Sequence, residues 1–472
     1  MNSSCRPKAE RDLLGSLLAF YRNKTSTSTV PINSTPTGDL TAGGSTTLGN
    51  KTYTSITFSW PEATNISGTA SYKVYASIVN TWTTLEEVEA NGTLYQDFTD
   101  NITSITIPNL IAFQFYRFDV IVRDSRGTKV LYPHFCVQMD PNVTGTLTCK
   151  TELTGVVTTF AGSCGAAGSF ATGAIIPTAR YNGNAGMAFL NNKLYVADST
   201  NFRIRVIDMT TFIDSSLAGS GGTGYTNGTG GSAVISNGVN LVTDGTDLYY
   251  IEIDNKGVRK IDPNTGTVAS FVGQVAANPA PAYVDATGTA SRFNLLFTGA
   301  YNFWDGALYI GDNNQRIRKS TVPGAVVSTV AGNGTGGQSD GPALTSQIGD
   351  PNGLIPYGNL LYIGSYSATT IRRLDLSTAT LSSITAGLNT SSGKNFAIMG
   401  KFMYIADETA HVIRKMDLTN SSVVTLAGLV SSPGTTNGTG TAARFNGPAH
   451  MLFVGNSLYL ADRGNNCIRK IE

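Results

Sequence analysis

The sequence predicts an all-β protein, a six-bladed β-propeller preceded by a smaller β-sandwich, and three observations carry that prediction. A two-strand signature returns six times at a spacing of roughly fifty residues, the mark of a repeat array. The segments around each signature alternate large apolar with polar residues, as strands with one buried face do. The strand missing after the sixth signature is found ahead of the first.

The signature opens as Leu194-Tyr195-Val196-Ala197-Asp198 and continues as Ile204-Arg205-Val206-Ile207-Asp208. Its counterparts are Leu248-Tyr249 with Val258-Arg259, Leu308-Tyr309 with Ile317-Arg318, Leu361-Tyr362 with Ile371-Arg372, Met403-Tyr404 with Ile413-Arg414, and Leu458-Tyr459 with Ile468-Arg469. Tyr and Arg stand ten residues apart in five copies and nine in the third. Between them, segments such as Asp198 to Asn201 and Asp462 to Asn465 hold side chains that bond their own backbone in turns. A further strand precedes each Tyr strand, as at His450 to Val454, and another follows each Arg strand, as at Val423-Val424-Thr425-Leu426-Ala427-Gly428. Four antiparallel strands per repeat make one propeller blade.

The chain stops at Glu472, where the last Thr-x-Ala-Gly strand is due, and Val156 to Gly162 supplies it from upstream. Residues 156–162 are therefore expected beside residues 467–472, closing the ring and removing two open sheet edges. The repeated Leu-Tyr-x-Ala-Asp…Asn…Ile-Arg-Lys-Ile, with its trailing Thr-x-Ala-Gly, resembles the NHL-repeat family of six-bladed propellers over residues 151–472. Glu252 and Ser365 replace the repeated Asp, and the fifth copy is short.

Residues 51–142 alternate again, at Ile56 to Trp60, Tyr72 to Tyr75, Ile105 to Ile107 and Tyr116 to Val122. Many short strands in so few residues predict a β-sandwich. Trp60 closes an early strand, and Leu110 precedes Tyr116, which opens a long one. These landmarks resemble an immunoglobulin-like, fibronectin type III domain. That resemblance implies Trp and Leu in the core, a Tyr bonded back to the corner before its strand, and use as a spacer or adhesion unit.

Residues 1–50 read as a terminal segment and linker. Leu13, Leu14, Leu17, Leu18 and Tyr21 have helical spacing within residues 6–22, and residues 23–50 are too rich in Thr, Ser, Gly and Pro to bury a core. Cys5 admits two readings, a free cysteine in a flexible terminus or the lipidated residue of a bacterial lipoprotein whose export signal has been removed. Cys136 and Cys149 lie close in sequence. Simple strand alternation sets Cys467 opposite Ala161, three residues from Cys164, so a ring-closing disulfide is open to the chain.

Charged residues make up only 14% of the chain and net charge is +1, with no concentrated basic face, which argues against nucleic acid as a partner. No apolar run is long enough to span a bilayer, so membrane contact is expected only through a lipid anchor. Gly337-Gln338-Ser339-Asp340-Gly341 matches a nucleophile-elbow pattern but sits between two strands, without the strand-to-helix turn the chemistry needs. The three histidines, His134, His411 and His450, lack metal-ligand spacing.

Asp198, Glu252, Asp312, Asp407 and Asp462 form a symmetric set that could hold Ca²⁺, yet a residue required in every copy is more simply a turn former. What differs between copies is the better guide to function. The long glycine-rich loops 219–238, 273–291, 332–350 and 428–446 carry Tyr225, Asn227, Tyr283, Asp285, Asn333 and Asp340 on the face of the Asp-x-x-Asn turns. These residues are the expected binding set. The chain is thus expected to be an exported or cell-surface binding protein with a protein or glycan partner, no catalytic residue and no required cofactor. The alternative is a Ca²⁺-dependent hydrolase or lyase working on the same face.

Overall fold

The structure is a computed structural model that describes residues 42–472, apart from residues 65, 67, 79–83, 144–145, 148, 151, 169–173, 275, 277–278, 367–368, 385–387 and 389–393. The expected N-terminal helix, Cys5 and most of the linker lie outside the described residues. The chain divides into two compact units, one of the residues up to Thr151 together with Met399–Lys401 and Leu418–Asn420, and one of the remainder from Glu152 on.

In the first unit, a sheet of Thr47–Lys51, Ile56–Ser59 and Ser104–Ile107 faces a second sheet of Thr93–Asp100, Ser71–Ile78, Phe115–Arg123 and Lys129–Leu131, with Phe135–Gln138 also on Phe115–Arg123. Alternate residues from the two sheets fill one core. The Phe58 ring from the first sheet lies 5.3 Å from Phe118 and 5.0 Å from Phe135 of the second, and Trp60 and Leu110 are buried with them. The Tyr116 hydroxyl accepts a hydrogen bond from the Ile111 backbone N–H at 3.1 Å, fixing the corner ahead of its own strand. Cys136 and Cys149 are joined by a disulfide.

Two details differ from the sequence expectation. The first strand of this unit starts at Thr47, inside the segment read as linker. A helix, Leu85–Asn91, follows the second strand of the larger sheet's order, capped by Thr84, whose hydroxyl accepts from Glu87 N while Glu87 answers back to Thr84 N. Thr84 and Glu87 spell a capping box in the sequence, a signal that the strand-based reading passed over.

Among the described residues of the second unit, six antiparallel sheets follow one another along the chain. Their innermost strands are Asn184–Leu190, Gly238–Thr243, Leu296–Asn302, Pro351–Tyr357, Lys394–Met399 and Pro448–Val454. Each hairpins into a Tyr strand, then an Arg strand, then the Ala-Gly strand. The Tyr strands are buried on both faces, as in Leu248–Glu252, not on one as alternation implied. The cause is sheet-on-sheet stacking, since single apolar clusters combine Tyr195 and Ala197 with Leu241 and Tyr250 of the next sheet, and Tyr309 with Leu354 and Ile363 of the one after. The architecture is a β-propeller.

Closure occurs as expected. Val156–Ala161 pairs with Cys467–Ile471, and Cys164 and Cys467 form a disulfide across the join. The register is one residue from the expectation, with Ile468 rather than Cys467 opposite Ala161. A bulge between Ile468 and Arg469 leaves Phe160 as the extra residue, and the same irregularity recurs between Ile204 and Arg205, Val258 and Arg259, Ile317 and Arg318, and Ile413 and Arg414. Straight alternation could not reveal it.

Candidate binding site at the axial face

The repeated charges come first, because they show what is already spent. In five of the six copies the Arg guanidinium lies beside the acidic residue that ends the Tyr strand, and in the fourth Ser365 stands in its place. Arg318 Nη1 donates to Asp312 at 2.8 Å, Arg469 Nη1 to Asp462 at 2.9 Å, Arg205 Nη1 to Asp198 at 3.2 Å and Arg414 Nε to Asp407 at 2.8 Å. The acid's other acceptor sites are filled locally. Asp462 takes Asn446 N–H at 2.8 Å and the Asn465 amide at 2.8 Å, and Asp198, Glu252 and Asp312 hold equivalent pairs from Asn182 and Asn201, Ser236 and Asn255, and Asn294 and Asn314. These five carboxylates stitch turns to strands. No group of three or more His, Cys, Asp and Glu among the described residues is arranged to hold a metal ion.

Five of the six residues expected to bind a partner from the long loops contact the same arginines from the other side. Asn227 Oδ1 accepts from Arg259 Nη2 at 2.7 Å, Asp285 from Arg318 Nε at 3.0 Å, and Asp340 pairs with Arg372 at 3.2 Å. Tyr225 lies under Arg259, 4.3 Å from ring centre to guanidinium, and Tyr283 under Arg316 at 4.1 Å. Asn333 bonds within its own loop, donating to Thr345 O at 3.1 Å and accepting from Thr335 N. The loops themselves are not free either. They descend the outer edge of the next sheet as short fifth strands, Gly228–Thr229, Gly341–Pro342 and Gly438–Thr439, and return through buried Ala233, Ala343 and Ala443. Asn437, which the sequence reading left out, completes the set by accepting from Arg469 Nη2 at 2.7 Å.

A different group escapes this pattern. Five of the innermost strands carry a bulge at the end beside the Asp-x-x-Asn turns, between Asn184 and Met187, Gly238 and Asn240, Leu296 and Thr298, Pro351 and Gly353, and Pro448 and Met451. A bulge re-aims side chains, and here it does so where the strands converge on the ring axis. The residues put there differ in every copy and include Val239, Phe297, Asn352 and His450. Next to them stand the residues that follow each Tyr strand, among them Tyr366, Glu408 and Arg463.

These side chains meet across two sheet junctions. Phe297 and Tyr366 pack edge to face with ring centres 5.7 Å apart. The Glu408 carboxylate lies 3.6 Å from the Arg463 guanidinium, with 29% and 37% of the respective side chains still exposed. Burial, ahead of the attraction of Arg463, leaves the Glu408 carboxyl with a raised pKa. The Tyr366 phenol is also pushed up, first by burial and then by the Glu408 charge, with the Asn352 amide and Arg463 acting against the shift. Asn352 is 4% exposed and its Oδ1 has no hydrogen-bond partner. The two nearby histidines are partly committed, with His411 Nδ1 accepting Gly447 N–H at 3.0 Å and His450 Nδ1 accepting Met187 N–H at 3.3 Å.

No protein-family model and no curated protein matches the chain. Solved structures do resemble it. A Bacteroides thetaiotaomicron protein described as of unknown function aligns over 90% of this chain and 98% of its own, with 17% identity and a TM-score of 0.53, a likeness of fold. A putative phosphatase from the same organism aligns over 91% of this chain and 97% of its own, with 13% identity and a TM-score of 0.46. A streptogramin B lyase covers 62% of this chain and 94% of its own, with 12% identity and a TM-score of 0.41.

Proposed function

We propose that this chain is an exported binding protein, an NHL-type six-bladed propeller joined to a fibronectin type III-like module, that engages a protein or glycan partner with the axial face. One observation carries the reading. The repeated charged residues are consumed within their blades, whereas Phe297, Tyr366, Glu408 and Arg463, each specific to one copy, gather where the bulged strands converge. Sites of this kind combine apolar rings with a few convergent polar groups. The two disulfides support export, because such bridges persist in oxidising compartments.

The test presents the purified full chain to an array of peptides and oligosaccharides. A bound member that is lost in Tyr366→Ala with Arg463→Ala, and retained in Tyr283→Ala, supports the axial face. No bound member, or turnover of ester or lactone substrates without stable binding, overturns the proposal. Thiol alkylation of chain recovered without reductant should leave four of the five cysteines unmodified.

A further inference from the structure

Resting on the axial-face reading, the side chains there define the chemistry of their ligand more narrowly than the fold does. We propose that Phe297, Tyr366, Glu408, Arg463 and Asn352 form a sugar-binding site that takes the terminal residue of a neutral glycan.

Charge is the first argument. Glu408 and Arg463 stand 3.6 Å apart and cancel, so the site offers no net attraction to an anion or a cation. At that separation neither group is consumed by a short hydrogen bond. The carboxylate keeps acceptor edges and the guanidinium keeps donor edges, both planar and both reachable from solvent. A pair of neighbouring sugar hydroxyls can donate to the one and accept from the other, which a simple apolar or singly charged ligand cannot do.

The apolar component has the matching form. Tyr366 is 37% exposed and its ring is braced edge-on by Phe297, so one aromatic surface is presented in a fixed orientation. The C–H face of a pyranose suits a single flat ring. A protein interface would want a broader desolvated apolar centre. Asn352 adds a buried requirement, since its Oδ1 is unpartnered in a residue that is 4% exposed. An unmet buried acceptor carries a desolvation penalty, and a ligand hydroxyl reaching it would remove that penalty.

The full chain should be titrated calorimetrically with maltotriose, cellotriose and chitotriose as neutral probes, with sialyllactose as an anionic probe, and with an unstructured Gly/Ser-rich peptide. At least one neutral trisaccharide should bind. Tyr366→Ala and Arg463→Ala should each weaken it by about tenfold or more, and Glu408→Gln by a smaller factor, as expected for charge-assisted hydrogen bonds and ring stacking. Asn352→Leu should weaken it while leaving the thermal midpoint unchanged or raised, which separates a ligand role from a structural one. A preference for sialyllactose would overturn the neutral-glycan assignment. Peptide binding that depends on Tyr366, with no sugar binding, would overturn the sugar and leave the axial face standing. Sugar binding that is indifferent to all four variants would overturn the site, and no sugar binding at all would overturn the sugar assignment, while the axial-face reading falls only if the peptide and oligosaccharide array also yields no bound member.

Discussion

Cys164 and Cys467, 303 residues apart in sequence, lie with Cα atoms 5.0 Å apart and are disulfide-bonded across the one sheet that joins the two ends of the ring. Among the described residues, the strand pair there, Val156–Ala161 with Cys467–Ile471, is the only one of the Arg-to-Ala-Gly pairings whose two members come from opposite ends of the propeller. Cross-linking so long a loop restricts the unfolded chain by on the order of 5 kcal/mol in the chain-entropy model, which is an upper figure. Cys164→Ser should therefore lower stability by several kcal/mol, and adding reductant to a parent carrying Cys136→Ser and Cys149→Ser should reproduce the loss. Urea unfolding monitored by far-UV dichroism, with and without reductant, checks this. Equal midpoints would mean that the strand pairing alone closes the ring.

The arginine clamps make a second expectation. Arg318 is fully buried and is held by Asp312 at 2.8 Å, by Asp285, and by the Val284 carbonyl at 2.9 Å. Replacing one member of such a pair leaves the other charge buried, a cost of about 3–5 kcal/mol. Asp312→Ala should lose an amount of that order in chemical denaturation, whereas Arg318→Met combined with Asp312→Leu should recover much of it. Because Asp312 already accepts from Asn294, Asn314 and Arg318, millimolar Ca²⁺ is expected to leave the thermal midpoint of the parent unmoved.

Much of this was readable in advance. Leu-Tyr and Ile-Arg repeat because every blade needs an inner strand buried on both faces and a buried guanidinium behind it, so six copies preserve the pattern. The second half of the clamp was also present in the letters, since Asn227, Asp340 and Asn437 each stand 22 residues before the next Tyr, and Asp285 stands 24 before its own. Glycine-rich surroundings of uneven length hid that period and made structural residues look like variable ones. The axial cluster was not readable at all. Phe297 reaches Tyr366, and Glu408 reaches Arg463, only because bulged strands from different sheets converge, and neither bulge nor convergence leaves a local mark.

Stability should change with pH in two opposing ways. Burial holds the His450 imidazole down to about 4, below its ordinary 6.5, and its Nδ1 accepts a backbone hydrogen bond that only the neutral ring can accept. The unfolded chain takes up that proton first, so the contribution of His450, full above pH 6.5, drains away as pH falls toward 4. Asp214 and Asp462 act in the reverse sense. Burial raises both to about 6 from 3.8, so the folded chain takes up those protons first and their contribution grows as pH falls through that window. Replacing His450 by Asn should therefore make the thermal midpoint fall less on acidification than in the parent, and Asp214→Asn should make it fall more. Calorimetric scans from neutral pH down to the lower edge of the window decide it, and parallel curves for all three chains would refute the assignment.

Asn437 offers the cleanest separation of structure from binding. Its Oδ1 accepts from Arg469 Nη2 at 2.7 Å and from the Thr159 hydroxyl at 3.2 Å, so one amide ties the outer loop to both partners of the closing strand pair. Removing it strips a hydrogen bond from a buried guanidinium, an expected loss of about 1–3 kcal/mol. The change is made at the outer edge of the sheet, on the far side of the Arg and Tyr strands from the bulged innermost strand. Asn437→Ala should thus lower the denaturation midpoint and leave ligand affinity intact, while Tyr366→Ala should do the opposite. If Asn437→Ala abolished binding at a temperature where dichroism shows the chain fully folded, the outer loops and not the axial face would be the recognition surface.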